Sequence, residues 1–474
     1  MAQHIKADIC VIGGGSGGLA VAAGSAMLGR KTVLIEKGKM GGDCLNYGCV
    51  PSKALLAAGK HAKYMSAGKP FGIEPQPAIV DFKAVHDHVH GVIEEIAPID
   101  SVERFEGLGV HVIQAAARFK NKKQVEAGDY TISARRFVVS TGSVPFVPPI
   151  PGLDTVPYLT NEVIFDNTTC PDHLIIIGGG PIGMEMAQAH KRLGAKVTVL
   201  EGTRAFAKDD PEMSAIVLDE LRKEGINIVE GAAVTSVEQD GDGIAVNVGE
   251  GPDQRRFEGS HLLVATGRAP TVDGLNLEAA GIKYNRRGIE VDARLRSTNK
   301  RVFAIGDVAG GLQFTHVAGY HSGIVVRNAL FRVPAKADHS AVPWVTYTDP
   351  ELAHVGQSED QARASGEKIR VLRWPLAEND RAQAERRTAG MIKVVTAANG
   401  KILGATIVAP NAGDLLQPWV LAISQKLKIS AFANMIAPYP TMGEISKRAA
   451  GSYYTPTLFS PRVRRLVAFL SKFG

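Results

Sequence analysis

The sequence predicts an α/β protein in which one strand–turn–helix pattern occurs twice. The stretch DICVIGGGSGGLAVAAGSAMLGRKTVLIE, from Asp8, matches HLIIIGGGPIGMEMAQAHKRLGAKVTVLE, from His173. Each copy has an apolar strand, a GxGxxG turn, a helix and a second strand that ends in glutamate. A lone GxGxxG is a weak signal, but two in-register copies in this context argue against a merely structural turn. We therefore predict two Rossmann-like dinucleotide-binding domains.

The two turns supply the first candidate binding residues. Glycines in such turns allow the backbone to approach a pyrophosphate, the helix N-terminus favours its charge, and the acid takes the ribose hydroxyls. Glu201 would repel the 2′-phosphate of NADPH, so we predict NADH, although Arg204 nearby keeps NADPH open. The candidates are Gly13, Gly15, Ser16, Gly18 and Glu36 in the first copy and Gly178, Gly180, Ile182, Gly183 and Glu201 in the second.

Length and composition are those of an ordinary multidomain enzyme. The chain has 474 residues, of which 45% are hydrophobic and 22% charged. The N-terminus lacks a signal-peptide pattern, and no run of about 18 uncharged apolar residues predicts a membrane span. These features predict a cytoplasmic location.

The net charge of +6 comes from the C-terminal end of the sequence. The stretch from Ile445 to Gly474 has six basic residues and no acidic one, so the remainder is balanced, which argues against a nucleic-acid-binding domain. The final SPRVRRLVAFLSKFG predicts a basic amphipathic helix. Packing on the chain's own dimer is the simpler interpretation, and docking on an anionic partner or membrane surface is the sharper one. Its apolar positions are Val463, Leu466, Val467, Leu470 and Phe473, and its basic ones are Arg462, Arg464, Arg465 and Lys472.

Two of the four cysteines, Cys44 and Cys49, lie close together in GGDCLNYGCVPSKALL. A structural disulfide is disfavoured in the cytosol, and zinc would need a second cysteine pair that the chain lacks. The pair is therefore a redox candidate. Pro51 suits the first turn of a helix, so Cys49 lies at a helix N-terminus that stabilises a thiolate. Lys53, one turn later, adds positive charge on the same face.

Two other sets of residues carry less weight. Cys10 lies in an apolar strand and is expected to be a buried small hydrophobe, and Cys170 stands alone. In VHDHVHG, His86 and His90 would share a helix face with His88 beside them, but a solvated face is the simpler interpretation than a metal site. We predict no bound metal.

GGDCLNYGCVPSK resembles the active site of the FAD-dependent pyridine nucleotide–disulfide oxidoreductases, and the resemblance extends over nearly the whole chain. It implies an FAD-binding domain (1–150 and 273–341), an NAD(P)-binding domain (151–272) and a C-terminal α+β dimerisation domain with the basic tail (342–474). The supporting segments are STG from Ser140, VATGRAP from Val264, TNKRVFAIGDVAG from Thr298, LQFTHVA from Leu312 and VPWVTYTDPELAHVG from Val342.

The resemblance also implies roles. Cys49 would be the thiol nearest the flavin, in charge transfer with it, and Cys44 the interchange thiol that attacks the substrate. Glu185 would pair with Lys53 at the flavin, and Asp307 would bind the ribitol. Further cofactor-binding residues would be Thr141, Gly142 and Gly267. The cofactors would be FAD and NAD(H), with NADP(H) not excluded, in a homodimer.

Two departures from the family pattern bear on the substrate. Asp43 stands where many relatives have threonine, and its charge disfavours a Cys44 thiolate. Disulfide-reducing relatives end in His-Pro-Thr-x-x-Glu, with the histidine serving the partner subunit's interchange thiol; here Tyr439 replaces it, and Glu444 follows. Mercuric reductases resemble PYPTMGE better, but they carry a C-terminal cysteine pair, and no cysteine follows Cys170.

Three functions follow from the sequence. The leading one is dihydrolipoamide-like, NADH-linked oxidoreduction of a small-molecule disulfide. The second is NAD(P)H-driven reduction of a metal ion or another small oxidant. The third is a component of a multi-protein complex held through the basic tail.

Overall fold

The computed structural model describes residues 3–473. It contains a seven-stranded mixed sheet with parallel central strands, a five-stranded parallel sheet with the same central order, a five-stranded antiparallel sheet and three smaller antiparallel sheets. We call the part around the seven-stranded sheet the first unit, the part around the five-stranded parallel sheet the second unit, and the five-stranded antiparallel sheet with its helices the C-terminal unit. The predicted α/β class is confirmed.

The first unit begins with apolar strands that are buried on both faces, as expected for a parallel sheet covered by helices. Its path is β3-β2-β1-β6-β5-β4. The strands are β1 (Gln3–Ile12), β2 (Thr32–Glu36), β3 (Val110–Gln114), β4 (Ala117–Asn121), β5 (Gln124–Ala127), β6 (Tyr130–Val139) and β7 (Ser143–Pro145). The helices are α1 (Ser16–Met27), α2 (Gly42–Asn46), α3 (Cys49–Ser66), α4 (Phe82–Ile96) and α5 (Val102–Gly107).

The second unit repeats this arrangement. Its order, β11-β10-β9-β15-β8, places the repeated strand β9 centrally as β1 is placed in the first, and β12, β13 and β14 form a separate antiparallel sheet. The strands are β8 (Tyr158–Leu159), β9 (His173–Ile177), β10 (Lys196–Glu201), β11 (Asn227–Glu230), β12 (Val234–Asp240), β13 (Gly243–Val248), β14 (Arg255–Gly259), β15 (His261–Val264) and β16 (Arg268–Pro270). The helices are α6 (Pro181–Arg192) and α7 (Pro211–Lys223). Strand β16 pairs antiparallel with β7 and so links the two units.

The chain then returns to the first unit. The elements of this return are β17 (Tyr284–Asn285), β18 (Gly288–Ile289), β19 (Val302–Ala304) and α8 (Thr315–Val326). Strand β19 adds to the first sheet, parallel to β6. Helix α8 packs closely on α1, because a Cβ on Gly17 would lie 3.2 Å from the Cβ of Ala318.

The C-terminal unit is an antiparallel sheet in the order β20-β21-β24-β23-β22, with the buried Trp419 stacked on Phe432 in its core. The strands are β20 (Pro343–Thr346), β21 (Glu351–Gly356), β22 (Ile369–Pro375), β23 (Met391–Ala397) and β24 (Ile402–Ala409). The helices are α9 (Glu359–Ala364), α10 (Asp380–Ala384), α11 (Ala412–Ser424), α12 (Ser430–Ala433), α13 (Glu444–Ser452), α14 (Thr455–Leu458) and α15 (Pro461–Leu470).

The predicted tail helix is present as α15, although Phe473 lies beyond its end. Among residues 3–473, no helix combines the length and the apolar character needed to cross a bilayer.

Candidate functional site

The two GxGxxG turns are built by the same steric constraint. Gly13 and Gly178 have φ of +107° and +116°, and a Cβ at either would lie 2.4 Å from a carbonyl oxygen of the neighbouring strand connection. A Cβ on Gly18 or Gly183 would lie within about 2 Å of the first glycine's oxygen (1.9 and 2.0 Å). Only glycine therefore permits the helix to start so close to the strand, which leaves backbone N–H groups facing outward for a pyrophosphate.

The other turn residues lie at the helix starts. Gly15 and Gly180 precede the first residues of α1 and α6 in extended conformation, with φ of −85° and −82°. Ser16 is the first residue of α1, and Ile182 is 37% exposed in the first turn of α6.

The acids that end β2 and β10 occupy equivalent positions. Glu36 accepts hydrogen bonds from the N–H groups of Gly14 (2.5 Å) and Gly38 (2.7 Å). Glu201 accepts from Gly179 N (2.8 Å) and Thr203 N (2.9 Å). Both carboxylates therefore lie beside the turn, where a ribose would be placed.

Arg204 points away from Glu201. Its guanidinium donates to Ser214 Oγ (3.2 Å) and to the carbonyl oxygens of Ala207 (3.1 Å) and Asp209 (3.2 Å). It is thus engaged with the chain that leads into α7.

The cysteines lie on two consecutive helices that follow the first copy of the pattern. Cys44 is in α2, and Cys49 is the first residue of α3, as the sequence predicted. Both are thiols, and the Sγ of Cys49 is 3.4 Å from Thr315 Oγ1 at the start of α8. Thr315, 266 residues away in the chain, is a contact that the sequence did not identify.

The two thiols differ in acidity. A hydrogen bond from Cys44 lowers the pKa of Cys49 to about 6, with further help from Thr315 and the charge of Lys53. The same hydrogen bond and burial raise the pKa of Cys44 far above its ordinary value. Asp43 raises the pKa of both thiols slightly, as expected from its charge. At neutral pH, Cys49 is therefore the thiolate and Cys44 holds the proton.

Lys53 and Glu185 meet between the first and second units. The Lys53 Nζ is 2.7 Å from Glu185 Oε2. The ammonium also lies 4.3 Å from the centre of the Tyr347 ring, and the Tyr347 N–H donates to Glu185 Oε1 at 2.9 Å. Glu185 is only 5% exposed, so its charge is compensated by these contacts. The pairing expected from the sequence is present, and Tyr347 is an addition to it.

A second polar network surrounds Asp43 and Asp307. Arg268 contacts Asp43 Oδ1 (2.9 Å) and donates to Ser143 Oγ (2.7 Å). Ser143 in turn donates to Asp307 Oδ2 (2.5 Å), whose pKa is raised by burial. Asn161 donates to the backbone oxygen of Tyr47, beside the cysteines. Arg268 lies in the quoted VATGRAP segment, but nothing local predicted that it would reach Asp43.

The remaining predicted cofactor residues lie at the β7–β16 link. Thr141 Oγ1 donates to Thr271 O (2.7 Å), and Gly142 has φ of +68°. Gly267 has φ of +135° and accepts from Phe146 N at 2.9 Å.

Tyr439 and Glu444 have polar partners other than the cysteines within the protomer. The Tyr439 hydroxyl donates to Asp380 Oδ2 (2.8 Å), which raises its pKa, and the residue is 67% exposed. Glu444 pairs instead with Arg448 one turn later (2.9 Å). Among the described residues, neither has a hydrogen bond or ion pair to Cys44, Cys49 or Lys53.

The histidines of α4 contact each other and neighbouring groups of the chain. His86 and His90 share one face of α4, with ring centres 4.2 Å apart. His90 Nε2 lies 3.1 Å from the carbonyl oxygen of Phe165, and His86 lies beside Asp87. Within residues 3–473, no three His, Cys, Asp or Glu side chains are grouped so as to hold a metal. Cys10 is fully buried, as predicted.

Two nucleotide-binding turns, a lysine–glutamate pair and a dithiol beside the first turn define the class of a flavin- and nicotinamide-dependent oxidoreductase. The pyridine nucleotide-disulphide oxidoreductase family model matches residues 7–322, and the dimerisation-domain model of that family matches residues 342–450. The chain belongs to this family.

Relatives cover most of the chain. A mercuric reductase from Bacillus cereus is 38% identical over 446 residues, 93% of this chain and 70% of the relative. A dihydrolipoyl dehydrogenase from Geobacillus stearothermophilus is 35% identical over 460 residues, 94% of this chain and 96% of the relative. A solved Cu(II) complex of the HOCl-induced flavoprotein disulfide reductase RclA from Escherichia coli has a TM-score of 0.84 at 28% identity, covering 93% of this chain and 99% of that one.

The protein is therefore an enzyme, an NAD(P)H-dependent flavoprotein disulfide oxidoreductase with a dimerisation domain. Its cofactors are FAD and a nicotinamide dinucleotide. The residues present fit FAD, because the first turn has no room for a Cβ and offers its backbone, and because the half-buried Asp307 lies just after β19 of the same sheet.

Proposed function

We propose that the enzyme uses the electrons of NADH to reduce a soft metal ion of the mercuric type, which the thiolates of Cys44 and Cys49 would hold. The observation that carries this proposal is Tyr439. It stands where disulfide-reducing relatives place a histidine, and its hydroxyl is held by Asp380.

In this proposal the first unit, 1–150 with 273–341, holds FAD, and residues 151–272 hold the nicotinamide dinucleotide. FAD, when bound, would carry an electron pair from NADH to the site that Cys44 and Cys49 form. Gly13, Gly15, Ser16 and Gly18 would bind its pyrophosphate and Glu36 its ribose, with Asp307, Thr141 and Gly142 along the remainder. In the second unit, Gly178, Gly180, Ile182, Gly183, Glu201 and Gly267 would bind the nicotinamide dinucleotide.

NADH is the favoured reductant within this proposal. Glu201 is held beside the turn by two backbone N–H groups, and Arg204 is engaged with Ser214 and two carbonyl oxygens. A 2′-phosphate would meet the carboxylate before it could meet the guanidinium, and like charges at close range repel.

The unequal thiols suit a metal substrate. Reduction of a disulfide requires an acid–base group to take the proton of the attacking thiol and return it to the leaving thiol. Cys44 holds its proton tightly, and Tyr439, with a raised pKa, is a poor acceptor at neutral pH. A soft metal ion removes that proton itself, because a coordinating thiol is deprotonated on binding.

The balance of this reaction is simple. NADH and Hg²⁺ give NAD⁺, H⁺ and Hg⁰, with both electrons supplied by the hydride of NADH. Both sulfurs would bind the ion as thiolates, Cys49 already ionised and Cys44 ionised on binding, and both are released as thiolates when the ion is reduced. No leaving thiol needs a proton during the transfer.

The test compares acceptors in the FAD-loaded enzyme. With NADH as donor, we expect turnover with mercuric ion and slow turnover with lipoamide and glutathione disulfide. Y439H should raise lipoamide turnover by about tenfold or more near neutral pH, since general acid–base help is typically worth 10²–10⁴-fold. The matched control, Y439F, should leave turnover with both acceptors unchanged. Rapid lipoamide turnover that is lost in Y439F would refute the proposal and make the tyrosine hydroxyl a working group.

A lipoyl-type disulfide is the second candidate. It is favoured by the full-length similarity to a dihydrolipoyl dehydrogenase and by the lack of any cysteine after Cys170 that could hand over a metal. Rapid lipoamide turnover without mercuric turnover would establish it.

The tail helix α15 would bring the enzyme to a membrane surface. In α15, Leu466, Val467 and Leu470 are 54–58% exposed. Four basic residues and no acidic one accompany this apolar surface, so its charge complements an anionic membrane surface better than a second copy of the same basic helix. We place the enzyme, as a homodimer through residues 342–450, at such a surface.

Vesicle sedimentation tests the tail. The full chain should bind vesicles with anionic lipid, and a chain that ends at Phe459 should not, while NADH-dependent flavin reduction is retained. Equal binding by both chains would exclude membrane docking through α15. A truncated chain that became monomeric would show that α15 packs on its own dimer.

A further inference from the structure

A cavity of about 180 Å³ lies in the first unit, away from the cysteines. Its walls come from three separate parts of the chain: strand β6, the segment before β19 and the segment after α8. Five of its eight lining residues are cationic, and the buried Phe303 lies among the other three. The lining residues are Arg136, Arg294, Arg296, Lys300, Phe303, Asn328, Arg332 and Pro334.

The turn that carries Arg294 and Arg296 is held in one conformation. Asp292 Oδ1 accepts hydrogen bonds from the backbone N–H groups of both arginines, at 2.9 and 3.0 Å. Leu295 between them has φ of +63°, which is rare for a branched side chain and is held here by its buried position. Asp292 also pairs with the Arg296 guanidinium (2.8 Å), so Arg294 is left facing the cavity without that partner.

The segment that carries Arg332 is also held. Residues Arg327–Phe331 form a π-helical turn after α8, and such turns are frequent at functional sites. Asn328 anchors the segment by donating to Ile324 O (2.9 Å) and Ala335 O (2.8 Å). Arg332 follows with φ of +55°, a conformation that only a well-braced segment maintains in a residue other than glycine.

The cavity has an excess of positive charge. Asp292 contacts Arg296 and Lys300, whereas no carboxylate between residues 3 and 473 comes within 4 Å of Arg136, Arg294 or Arg332. Partial burial and the repulsion of Arg301, Arg135 and Arg332 lower the pKa of the Arg136 guanidinium. Several guanidinium groups brought together around a concavity require a counter-charge, and Arg is the side chain best matched to phosphate oxygens.

This site is separate from the predicted flavin site. The lining residue Lys300 precedes β19, whereas Asp307 follows it, so the two sites lie toward opposite ends of that strand. Its volume is also below the roughly 300–1,000 Å³ of typical sites for larger ligands. A dinucleotide would not fit, and a phosphate-sized group would.

We propose that this cavity is an anion site for a small phosphate-bearing ligand, with Arg136, Arg294 and Arg332 as its main contacts. The shared chemistry is a phosphate or diphosphate group, carried either by a free anion or by a lipid headgroup.

Calorimetry with sodium pyrophosphate tests the site. The FAD-loaded enzyme is used at constant ionic strength and with saturating NAD⁺, so that both nucleotide turns are filled. R294Q and R332Q should each weaken binding by about tenfold or more, as expected for hydrogen bonds between charged groups. R332Q lies in an exposed segment, and its flavin content and NADH reduction should match the unmodified enzyme.

The matched control is R135Q. Arg135 adjoins Arg136 in β6, but it is exposed and pairs with Asp8 at 3.4 Å, so the variant loses the same charge outside the cavity. It should bind pyrophosphate as tightly as the unmodified enzyme. An equal loss in R135Q would reduce the effect to general electrostatics and overturn the proposal.

A second arm separates the two sources of phosphate. Vesicles of phosphatidylcholine with and without phosphatidic acid are sedimented with a chain that ends at Phe459, so that the tail helix does not contribute, and with R294Q/R332Q in that same chain. A loss confined to pyrophosphate identifies a free anion, and a loss of phosphatidic-acid binding identifies a headgroup. If the double variant binds both probes as the unmodified enzyme does, the cavity is not an anion site.

Discussion

The two copies of the strand–turn–helix pattern have the same turn but different surroundings. Gly13 and Gly178 meet the same steric limit, and Glu36 and Glu201 accept from corresponding backbone N–H groups. The helices that follow differ. In α1 the position equivalent to Glu185 is the exposed Ala20, whereas Glu185 in α6 reaches Lys53 of the first unit.

The chain between the repeated elements differs as well. After β2 comes the insertion of α2 and α3 with both cysteines, whereas β10 leads to α7 without a comparable insertion. The GxGxxG turn is thus fixed by backbone sterics, and the two thiols and the lysine–glutamate pair are side chains added around it.

The largest expected effect comes from breaking one turn at a time. Gly18→Ala places a Cβ 1.9 Å from Gly13 O, so the protein should lose essentially all of its flavin and its yellow colour. Gly183→Ala makes the same clash in the second copy, at 2.0 Å. The Gly183→Ala protein should keep the flavin. Its free energy of NADH binding should weaken by at least about 3 kcal/mol, roughly a hundredfold in affinity. Absorbance spectra and NADH titrations measure both.

Gly24→Ala in α1 is the control for this pair. Its Cβ would meet only Val326 at 3.9 Å, and alanine in a helix is favoured over glycine by about 1 kcal/mol. A yellow, fully loaded Gly18→Ala protein would contradict the assignment of the first turn to FAD.

The second prediction concerns the insertion that only the first copy has. On partial reduction the enzyme should develop a long-wavelength thiolate–flavin absorbance. Cys49→Ser should abolish this absorbance and Cys44→Ser should retain it, because Cys49 is the more acidic thiol. Both variants should lose turnover. Absorbance that survives in Cys49→Ser would reverse the roles of the two thiols.

The third prediction concerns Lys53, which pairs with Glu185 and so links the first unit to the second. In the reduced enzyme the same absorbance should be lost as the pH falls through about 6, because protonation removes the Cys49 thiolate. Lys53→Met removes a nearby positive charge, so the midpoint should rise by about one pH unit. Lys63→Met, near the exposed end of the same helix, should leave it unchanged. An unmoved midpoint in Lys53→Met would mean that the ammonium does not influence the thiol.

The smallest effect concerns the two acids. Glu201→Ala should narrow the preference for NADH over NADPH by about tenfold, since it removes the charge that opposes the 2′-phosphate. Glu36→Ala should weaken FAD retention and leave that preference unchanged. Kinetic constants with both nucleotides measure this, and an NADPH preference in the unmodified enzyme would mean that Arg204 outweighs Glu201.

The sequence predicted what is local in the chain. Both turns, the acids that end β2 and β10, the start of α3 at Cys49 and the tail helix follow from short patterns of steric and polar preference. Thr315 beside Cys49, Tyr347 over Lys53 and Asp380 at Tyr439 were not predicted, because each contact joins residues that only the folded chain brings together.

Charge was the least predictable property. Outside the tail, basic and acidic residues are equal in number along the sequence. In the folded chain, however, Arg136, Arg294 and Arg332 converge from three segments on one cavity. Composition fixes the total charge, and topology alone fixes where it accumulates.

The seam between the first and second units has a mechanical consequence. Arg268 of β16 binds Asp43 beside the cysteines and Ser143 of β7, and Lys53 binds Glu185 across the same boundary. A rotation that separated the two units would take Lys53 away from Glu185 and Asp43 away from Arg268. Glu185 and Arg268 are both largely buried, so each would lose its charged partner. The contacts across this boundary therefore oppose a hinge motion between the first and second units.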